Sequence, residues 1–139
     1  MADVRWLELQ DVCDSRGRLT AVESEVHIPF PIARVFYVHQ VQPGVDRGGH
    51  AHKDTDQLAV AVHGSLKIYL SDGVETRGFQ LDRPDRGLYI PRLIFARLCD
   101  FSPGAVCLVF ASTKYDRSRS IRSWDEYLNY RGRGLPQQK

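Results

Sequence analysis

The sequence has little of several features that would indicate a particular partner or compartment. Its three cysteines, Cys13, Cys99 and Cys107, form no C-x-x-C pair, which argues against a disulfide framework or a zinc knuckle. No segment approaches the ~18 apolar residues of a membrane span, and the N-terminus lacks the apolar region of a signal peptide. With 19 basic and 17 acidic residues, the net charge is only +2. These absences predict a cytoplasmic protein with no membrane and no nucleic acid among its partners.

Short strands dominate the hydrophobic pattern. Leu66, Ile68 and Leu70 alternate with polar neighbours, and a Ser-Asp-Gly turn follows. Further strands are predicted in RVFYVHQV, QLAVAVHG, GLYI, IFARLCDF and AVCLVFAS, with Gly- and Pro-containing turns between them. The pattern predicts an antiparallel sandwich or barrel in a single domain, residues 1–130. Only residues 118–130 are predicted to be helical, and residues 131–139 are expected to form a disordered tail.

A pair of histidines, His50 and His52, lies in the stretch RGGHAHKDTDQ. Residues two apart on a strand share one face, so the two imidazoles should lie side by side while Ala51 points away. Three interpretations are open: a metal site, a structural pair, or acid–base catalysis. Burying two imidazoles without a function is costly, because both rings then need hydrogen-bond partners. Imidazole has a pKa of about 6.5, which suits it to moving protons in either direction.

The spacing around the histidines is similar to the first motif of the cupin family, in which a glycine, His-x-His, a glutamate and a second glycine recur. Gln57 stands at the glutamate position, and in the second motif Ala96 stands where a histidine ligand is expected. Two neutral ligands are fewer than the three or four protein donors of a typical divalent metal site. The sequence therefore predicts no metal and favours acid–base catalysis.

Several blocks across nearly the whole chain resemble the dTDP-sugar 3,4-ketoisomerases, which are metal-independent cupins of deoxysugar biosynthesis. The similar blocks are DSRGRL, IPFPIARVFYV, RGGHAHK, GLYIP, DFSPGAV and the AST-x-YD…IR segment. The resemblance implies an all-β cupin (RmlC-like) jelly-roll barrel with a short C-terminal helix. It also implies conversion of a dTDP-linked 4-keto-6-deoxyhexose into its 3-keto isomer through an enediol, without a cofactor.

The resemblance assigns roles to particular residues. His50 is implied as the main base and His52 as its partner, and sequence does not settle which one returns the proton. Tyr37 is the third catalytic candidate, a donor toward the enediolate. The candidate substrate-binding residues are Arg16, Arg34, Arg47, Lys53, Gln57, Tyr89 and Phe95. For most of these side chains a structural role is the alternative, for example a sheet aromatic, a surface ion pair or a polar core residue.

One departure from the family pattern concerns Phe95 and Ala96, which stand where family members commonly have Trp-His. Ala96 can neither move a proton nor donate a hydrogen bond. Two other functions therefore stay open: a sugar-nucleotide epimerase or isomerase of different regiochemistry, and a non-catalytic cupin that only binds a nucleotide sugar. Exposed edge strands and the resemblance together predict a homodimer in which the N-terminal strands pair with the partner's sheet.

Overall fold

The computed structural model describes residues 1–134, which form two β-sheets, a separate hairpin and one helix. The first sheet has the order β1-β9-β6-β11-β4, the second has the order β12-β5-β10-β7-β8, and β2 and β3 form the hairpin. The elements are β1 (Arg5–Glu8), β2 (Gln10–Asp14), β3 (Gly17–Ala21), β4 (Arg34–His39), β5 (Arg47–His52), β6 (Gln57–His63), β7 (Leu66–Ser71), β8 (Thr76–Leu81), β9 (Arg86–Ile90), β10 (Phe95–Cys99), β11 (Val106–Ala111), β12 (Ser120–Ile121) and α1 (Trp124–Gly134). The prediction of an all-β cupin jelly roll with a short C-terminal helix is confirmed.

The main core lies between the two sheets and follows the period-two alternation of the strands. In β7, Ile68 and Leu70 are fully buried while Tyr69 between them is partly exposed. On the first sheet, Leu88 and Val109 contribute to the same cluster. Burying an aliphatic side chain of this size contributes roughly 1.5–3 kcal/mol, so this cluster is the main source of stability between the sheets.

The outer faces of both sheets are also covered. Ile28 and Phe30 pack over the first sheet against Val60 and Tyr89. Helix α1 covers the second sheet through Tyr127, which packs on Ala51 and Ile121. The Tyr127 hydroxyl lies 2.6 Å from the carbonyl oxygen of Leu93 and donates a hydrogen bond to it. The helix therefore fixes the outer face of β5, the strand whose inner face carries the histidines.

The predicted C-terminal boundaries are wrong in two places. The sequence predicted a helix that begins at Ser118. Instead, Arg117–Arg119 form a 3-10 turn and Ser120–Ile121 pair with β5 as a strand. Asp116 caps the start of that turn by accepting a hydrogen bond from the Ser118 amide, 3.0 Å away, and the Ser120 amide donates to the Arg117 carbonyl oxygen at its end. The helix continues to Gly134, so residues 131–134 are helical rather than a disordered tail. The remainder of the predicted tail, residues 135–139, lies outside the described residues.

Two glycines set the conformation of β5 just before the histidines. Gly48 and Gly49 have φ of +84° and +74°, a region that L side chains rarely adopt. A Cβ on Gly48 would lie 3.0 Å from the Ala96 carbonyl oxygen, so β5 and β10 approach closely here. The register between the two strands also shifts at Ala96 and Arg97. This local irregularity places His50 opposite Ala96 across the pair.

Candidate active site

His50 and His52 lie on the inner face of β5, as the spacing predicts, while Ala51 is fully buried against α1. Their ring centroids are 4.9 Å apart and the ring planes cross at 87°. Both rings line a cavity of about 120 Å³ between the sheets, which we call the inner cavity. The histidines are therefore a pair of adjacent imidazoles on one wall of the inner cavity.

The walls of the inner cavity are mostly apolar. Gln57 and Arg47 also line it, and together with the histidines they supply its polar groups. Its other lining residues are Phe36, Val38, Gly48, Ala59, Ile68, Ile90, Ile94, Ala96, Leu98 and Val109. The structure thus brings four predicted site residues together: His50, His52, Arg47 and Gln57.

His52 also lines a second, more polar cavity of about 300 Å³, which we call the outer cleft. Arg34 lies in this cleft, with its guanidinium 4.4 Å from the ring centroid of Phe36 and 4.9 Å from that of Tyr115. Stacking on both rings restricts the side chain and leaves its charge beside the cleft. The remaining lining residues are Asp54, Thr55, Thr113, Lys114, Asp116, Arg119 and Ser120.

The two imidazoles have different hydrogen-bond partners. The Oγ of Ser120 lies 3.3 Å from Nδ1 of His52, and the two residues are opposite one another in the β12–β5 pair. His50 instead hydrogen-bonds to the backbone of Gly48, and because this bond raises the pKa of the ring we infer that the Gly48 carbonyl oxygen is the acceptor. A carbonyl only accepts, whereas a hydroxyl can donate or accept, so the two rings are not equivalent in the tautomers their partners allow.

The surroundings of the pair favour neutral imidazoles. Burial lowers the pKa of His50; the Gly48 hydrogen bond opposes this shift, and the positive charge of Arg122 adds to it. Burial lowers the pKa of His52 to about 4. The positive charges of His50, Arg34 and Arg122 contribute further to this lowering of the pKa. At neutral pH both rings are therefore available as bases or as neutral donors.

The donor set is a poor fit for a metal ion. Within residues 1–134, no group of three or more His, Cys, Asp and Glu side chains could hold a metal. Gln57 presents a neutral amide to the cavity, and Ala96 faces His50 with a methyl group. The residues present suit proton transfer better than metal coordination.

Comparison with known proteins agrees with this geometry. A family model described as "FdtA: WxcM-like, C-terminal" matches residues 2–132. The chain belongs to the FdtA family. One relative, the TDP-4-oxo-6-deoxy-alpha-D-glucose-3,4-oxoisomerase of Aneurinibacillus thermoaerophilus, is 37% identical over 124 residues, 89% of each chain.

Solved structures extend the comparison to the fold of this FdtA-family chain. The 3,4-ketoisomerase QdtA from Thermoanaerobacterium thermosaccharolyticum, a His-to-Asn variant in complex with TDP-4-keto-6-deoxyglucose, matches with a TM-score of 0.93 and 34% identity over 99% of both chains. A dTDP-4-dehydrorhamnose 3,5-epimerase from Bacillus anthracis has a TM-score of 0.74 at 19% identity, covering 85% of this chain and 77% of that chain. The second likeness shows the cupin fold alone.

Two aromatic candidates, Tyr37 and Tyr89, lie outside the inner cavity. Tyr37 is 60% exposed, because Phe36 and Val38 on either side of it occupy the inner face of β4. Tyr89 packs on the outer face of the first sheet with Phe30, at a centroid distance of 6.3 Å. Neither tyrosine lines the inner cavity of one chain, and the site roles predicted for them stay predictions.

The alternation of side chains along the strands also places Phe95 and Lys53 outside the inner cavity. Phe95 packs edge-on against Trp124, at 5.3 Å between centroids, and supports α1 rather than a sugar. The Lys53 ammonium lies 5.1 Å from the ring centroid of Tyr130, also on the helix side. Lys53 directly follows His52, so its side chain belongs to the opposite face. Neither residue lines the inner cavity or the outer cleft of one chain, and their predicted substrate contacts stay predictions.

Arg16 lies on the β2–β3 hairpin, outside both cavities. Its guanidinium pairs with Asp14, with Nη2 2.6 Å from Oδ2, and the side chain is largely exposed. The hairpin forms a two-stranded sheet of its own and does not join either large sheet. Within one chain, the structure therefore does not bring Arg16 to the histidines.

Sequence reasoning missed several residues beside the pair. Ser120 begins the short strand β12 and Arg122 follows it, and they act on histidines about seventy residues away in sequence. Thr55 and Thr113, whose hydroxyl oxygens lie 2.5 Å apart, line the outer cleft. The serine and the threonines had no local spacing signal. The similarity of the AST-x-YD…IR segment to the family was the one available indication for Arg122.

Proposed function

We propose that this protein is a sugar-nucleotide 3,4-ketoisomerase that converts a TDP-linked 4-keto-6-deoxyhexose into its 3-keto isomer. The observation that carries the proposal is the adjacent pair of neutral imidazoles in the inner cavity, next to a cleft with cationic side chains. The relative and the QdtA structure support it, because their names describe this reaction and this class of sugar. The reaction would serve deoxysugar biosynthesis, in the cytoplasm as the sequence predicts.

The chemistry requires two hydrogens to move and no net oxidation. The carbon-bound hydrogen leaves C3 and a hydrogen is delivered to C4, while the hydroxyl hydrogen of O3 is replaced by one on O4. His50, as a neutral imidazole, accepts the C3 proton and becomes an imidazolium that can return a proton to C4. His52 stays neutral and donates a hydrogen bond to the oxygen on which the enediolate charge develops, and the hydroxyl proton of O3 passes to the adjacent O4 within the enediolate. Because the isomerisation is redox-neutral, these steps need neither a metal nor a redox cofactor.

The sizes of the two cavities support a division of the substrate between them. At about 120 Å³, the inner cavity is smaller than the roughly 300–1,000 Å³ of typical ligand sites. It is therefore suited to the sugar ring alone. The diphosphate is anionic, and the outer cleft offers Arg34 and Lys114 to it. His52, which lines both spaces, would lie at the junction of sugar and nucleotide.

A homodimer is part of the proposal. Val12 and Leu19 on the hairpin are 50% and 61% exposed, and Val35 on edge strand β4 is 50% exposed. Exposed apolar side chains on an unpaired hairpin and at a sheet edge are suited to cover by a second copy. In such a dimer the N-terminal strands would pair with the partner's sheet, and Arg16 would approach the partner rather than its own histidines.

Proton NMR of the protein with TDP-4-keto-6-deoxyglucose in heavy water tests the activity. The expected result is formation of the 3-keto isomer with deuterium at the carbon that is protonated. A bound ketosugar that shows neither isomerisation nor hydrogen exchange would support the non-catalytic alternative instead. Deuterium at C5 would indicate an epimerase of different regiochemistry.

Sedimentation at micromolar concentration tests the dimer. We expect about twice the chain mass of 15.8 kDa, and Leu19→Glu should shift the protein toward the monomer. Val74→Glu is the matched control, because Val74 is 97% exposed on the β7–β8 turn, away from the hairpin. A parent protein that sediments only as a monomer would contradict the dimer without affecting the proposed reaction.

A further inference from the structure

We propose that Ser120 is a positioning residue for His52: its hydroxyl donates to Nδ1 and holds the Nε2–H tautomer, with Nε2 available to the substrate. This inference rests on the proposed isomerase and assigns a function to a residue outside the cupin histidine motif. The observation behind it is the 3.3 Å contact between Ser120 Oγ and His52 Nδ1. Nε2 lies on the far side of the ring from this contact, in a side chain that lines both cavities.

Ser120 is held in place from both sides. Its backbone is paired with His52 in the β12–β5 ladder, and the Lys53 amide donates to the Arg119 carbonyl oxygen at 2.9 Å. The Arg119 guanidinium donates two hydrogen bonds to the Asp54 carboxylate, of 2.5 and 2.8 Å. A bidentate pair of this kind restricts orientation as well as distance. The backbone of Ser120 is therefore fixed relative to the strand that carries His52.

The charges around His52 favour a neutral ring, and the proposed mechanism then sets the direction of its hydrogen bond with Ser120. The side chain is buried beside Arg34, Arg122 and His50, all of which disfavour an imidazolium, so the ring keeps a single N–H. Asp54, the acidic side chain of the cleft nearest to it in sequence, is already engaged by Arg119. If Nδ1 carried the hydrogen, Nε2 would direct a lone pair at the developing oxyanion. With Ser120 as donor to Nδ1, Nε2–H becomes the donor that the enediolate needs.

The contrast with His50 supports this division. The carbonyl of Gly48 can only accept, so the hydrogen-bonded nitrogen of His50 must carry hydrogen and the other nitrogen keeps a lone pair. One ring is thus arranged as a base and the other as a neutral donor. The difference between the two rings depends on Ser120, because its hydroxyl can donate to Nδ1 of His52. A backbone carbonyl in that place could only accept and would force the opposite tautomer on His52.

Nitrogen-15 NMR of the ligand-free protein tests the tautomer directly. For the parent we expect a lone-pair signal from Nδ1 of His52 and an N–H signal from Nε2. Ser120→Ala should shift the ring toward a mixture of tautomers, and Ser120→Thr, which keeps the hydroxyl, should restore the parent pattern. Ser118→Ala is the matched control, because it removes a hydroxyl from the same segment that bonds Asp116 rather than a histidine.

Kinetics of the same variants complete the test. Ser120→Ala should lower isomerisation by about 10- to 100-fold, by analogy with the loss when the orienting partner of a metal-bound histidine is removed. Deuterium exchange at C3 should fall less than isomerisation, and TDP affinity should change by less than about threefold. An N–H signal at Nδ1 in the parent, or equal losses in Ser120→Ala and Ser118→Ala, would overturn the assignment. The NMR pattern is read without substrate, so it decides the role of Ser120 even if the parent shows no isomerase activity.

Discussion

The imidazoles of His50 and His52 lie edge to face at 4.9 Å, yet each is held by a different partner, a backbone carbonyl for one and a serine hydroxyl for the other. Two positive charges at this separation would repel strongly in a buried site. At most one of the two rings is therefore an imidazolium at a time near neutral pH. That restriction suits a reaction in which one proton is removed and one returned at neighbouring carbons.

Replacing His50 with asparagine should remove the base while retaining the approximate size of the side chain. We expect His50→Asn to lower turnover by roughly a hundredfold to ten-thousandfold, the usual contribution of a general base. Affinity for TDP should change much less, because proton transfer contributes mainly in the transition state. Isomerisation rate and TDP affinity, measured side by side, check this. A variant that isomerises at the parent rate would return the pair to a structural role.

His52→Asn should separate the two halves of the reaction. If His52 acts on the sugar oxygens, the variant should isomerise poorly but still exchange the C3 proton with solvent, since His50 is intact. The measurement is C3-deuterium incorporation in recovered substrate, compared with product formation in the same sample. Loss of both activities to the same extent would indicate that His52 is needed for the first proton transfer.

The strand alternation explains which site residues could be predicted from the sequence. The spacing of His50 and His52 placed both on one face, and Gln57 and Arg47 followed from the same motif. The same alternation explains why other candidate side chains lie away from the cavity. Tyr37 lies three residues after Arg34, and an odd spacing on one strand puts the two side chains on opposite faces. The same rule, applied to the neighbour of His52, would have removed Lys53 from the site.

Contacts between residues that are far apart in the sequence could not be predicted from local patterns. Ser120 meets His52 only because β12 pairs with β5, and β12 is a two-residue strand without a hydrophobic period of its own. Strand β12 lies within residues 118–130, which the sequence predicted to be helical because helix-forming residues follow directly. The aromatic cluster of Phe95, Trp124 and Tyr127 likewise depends on α1 folding back over β10, which local patterns do not specify.

Phe95→Ala tests the structural role of that cluster. Phe95 packs against Trp124 and Tyr127, at 5.3 Å between centroids in both cases. Since Phe95 is only partly buried, we expect a loss of about 2 kcal/mol in the free energy of unfolding, below the 3–5 kcal/mol of a fully buried phenylalanine. Urea unfolding measures this, and TDP affinity at a temperature where the variant is folded should be unchanged. A folded variant that binds TDP tenfold more weakly would return Phe95 to the substrate site.

Chelation tests the absence of a functional metal. Gln57 and Ala96 replace two potential ligands, so activity should be unaffected by excess chelator. Elemental analysis of the purified protein provides the second measurement. Stoichiometric metal whose removal abolishes isomerisation would contradict the acid–base mechanism as proposed.

The stability of the protein should depend on pH through His52. Its pKa is lowered to about 4 in the folded chain, against about 6.5 in an unfolded one. Between these values the unfolded state binds more protons, so the free energy of unfolding rises with pH. The contribution of His52 is complete above pH 6.5 and is lost as the pH falls toward 4. Its size is at most about 3 kcal/mol, from 1.36 kcal/mol for each pKa unit.

Comparison with His52→Asn isolates this contribution from that of other groups. Both proteins retain His50, whose pKa is also lowered, and the same carboxylates, so their remaining pH dependence should be shared. Urea unfolding at several pH values between 4.5 and 7.5 should show the parent losing more stability than the variant as the pH falls. Curves that run parallel over this range would mean that His52 titrates normally in the folded protein. The assignment of a neutral imidazole to His52 would then be wrong at weakly acidic pH.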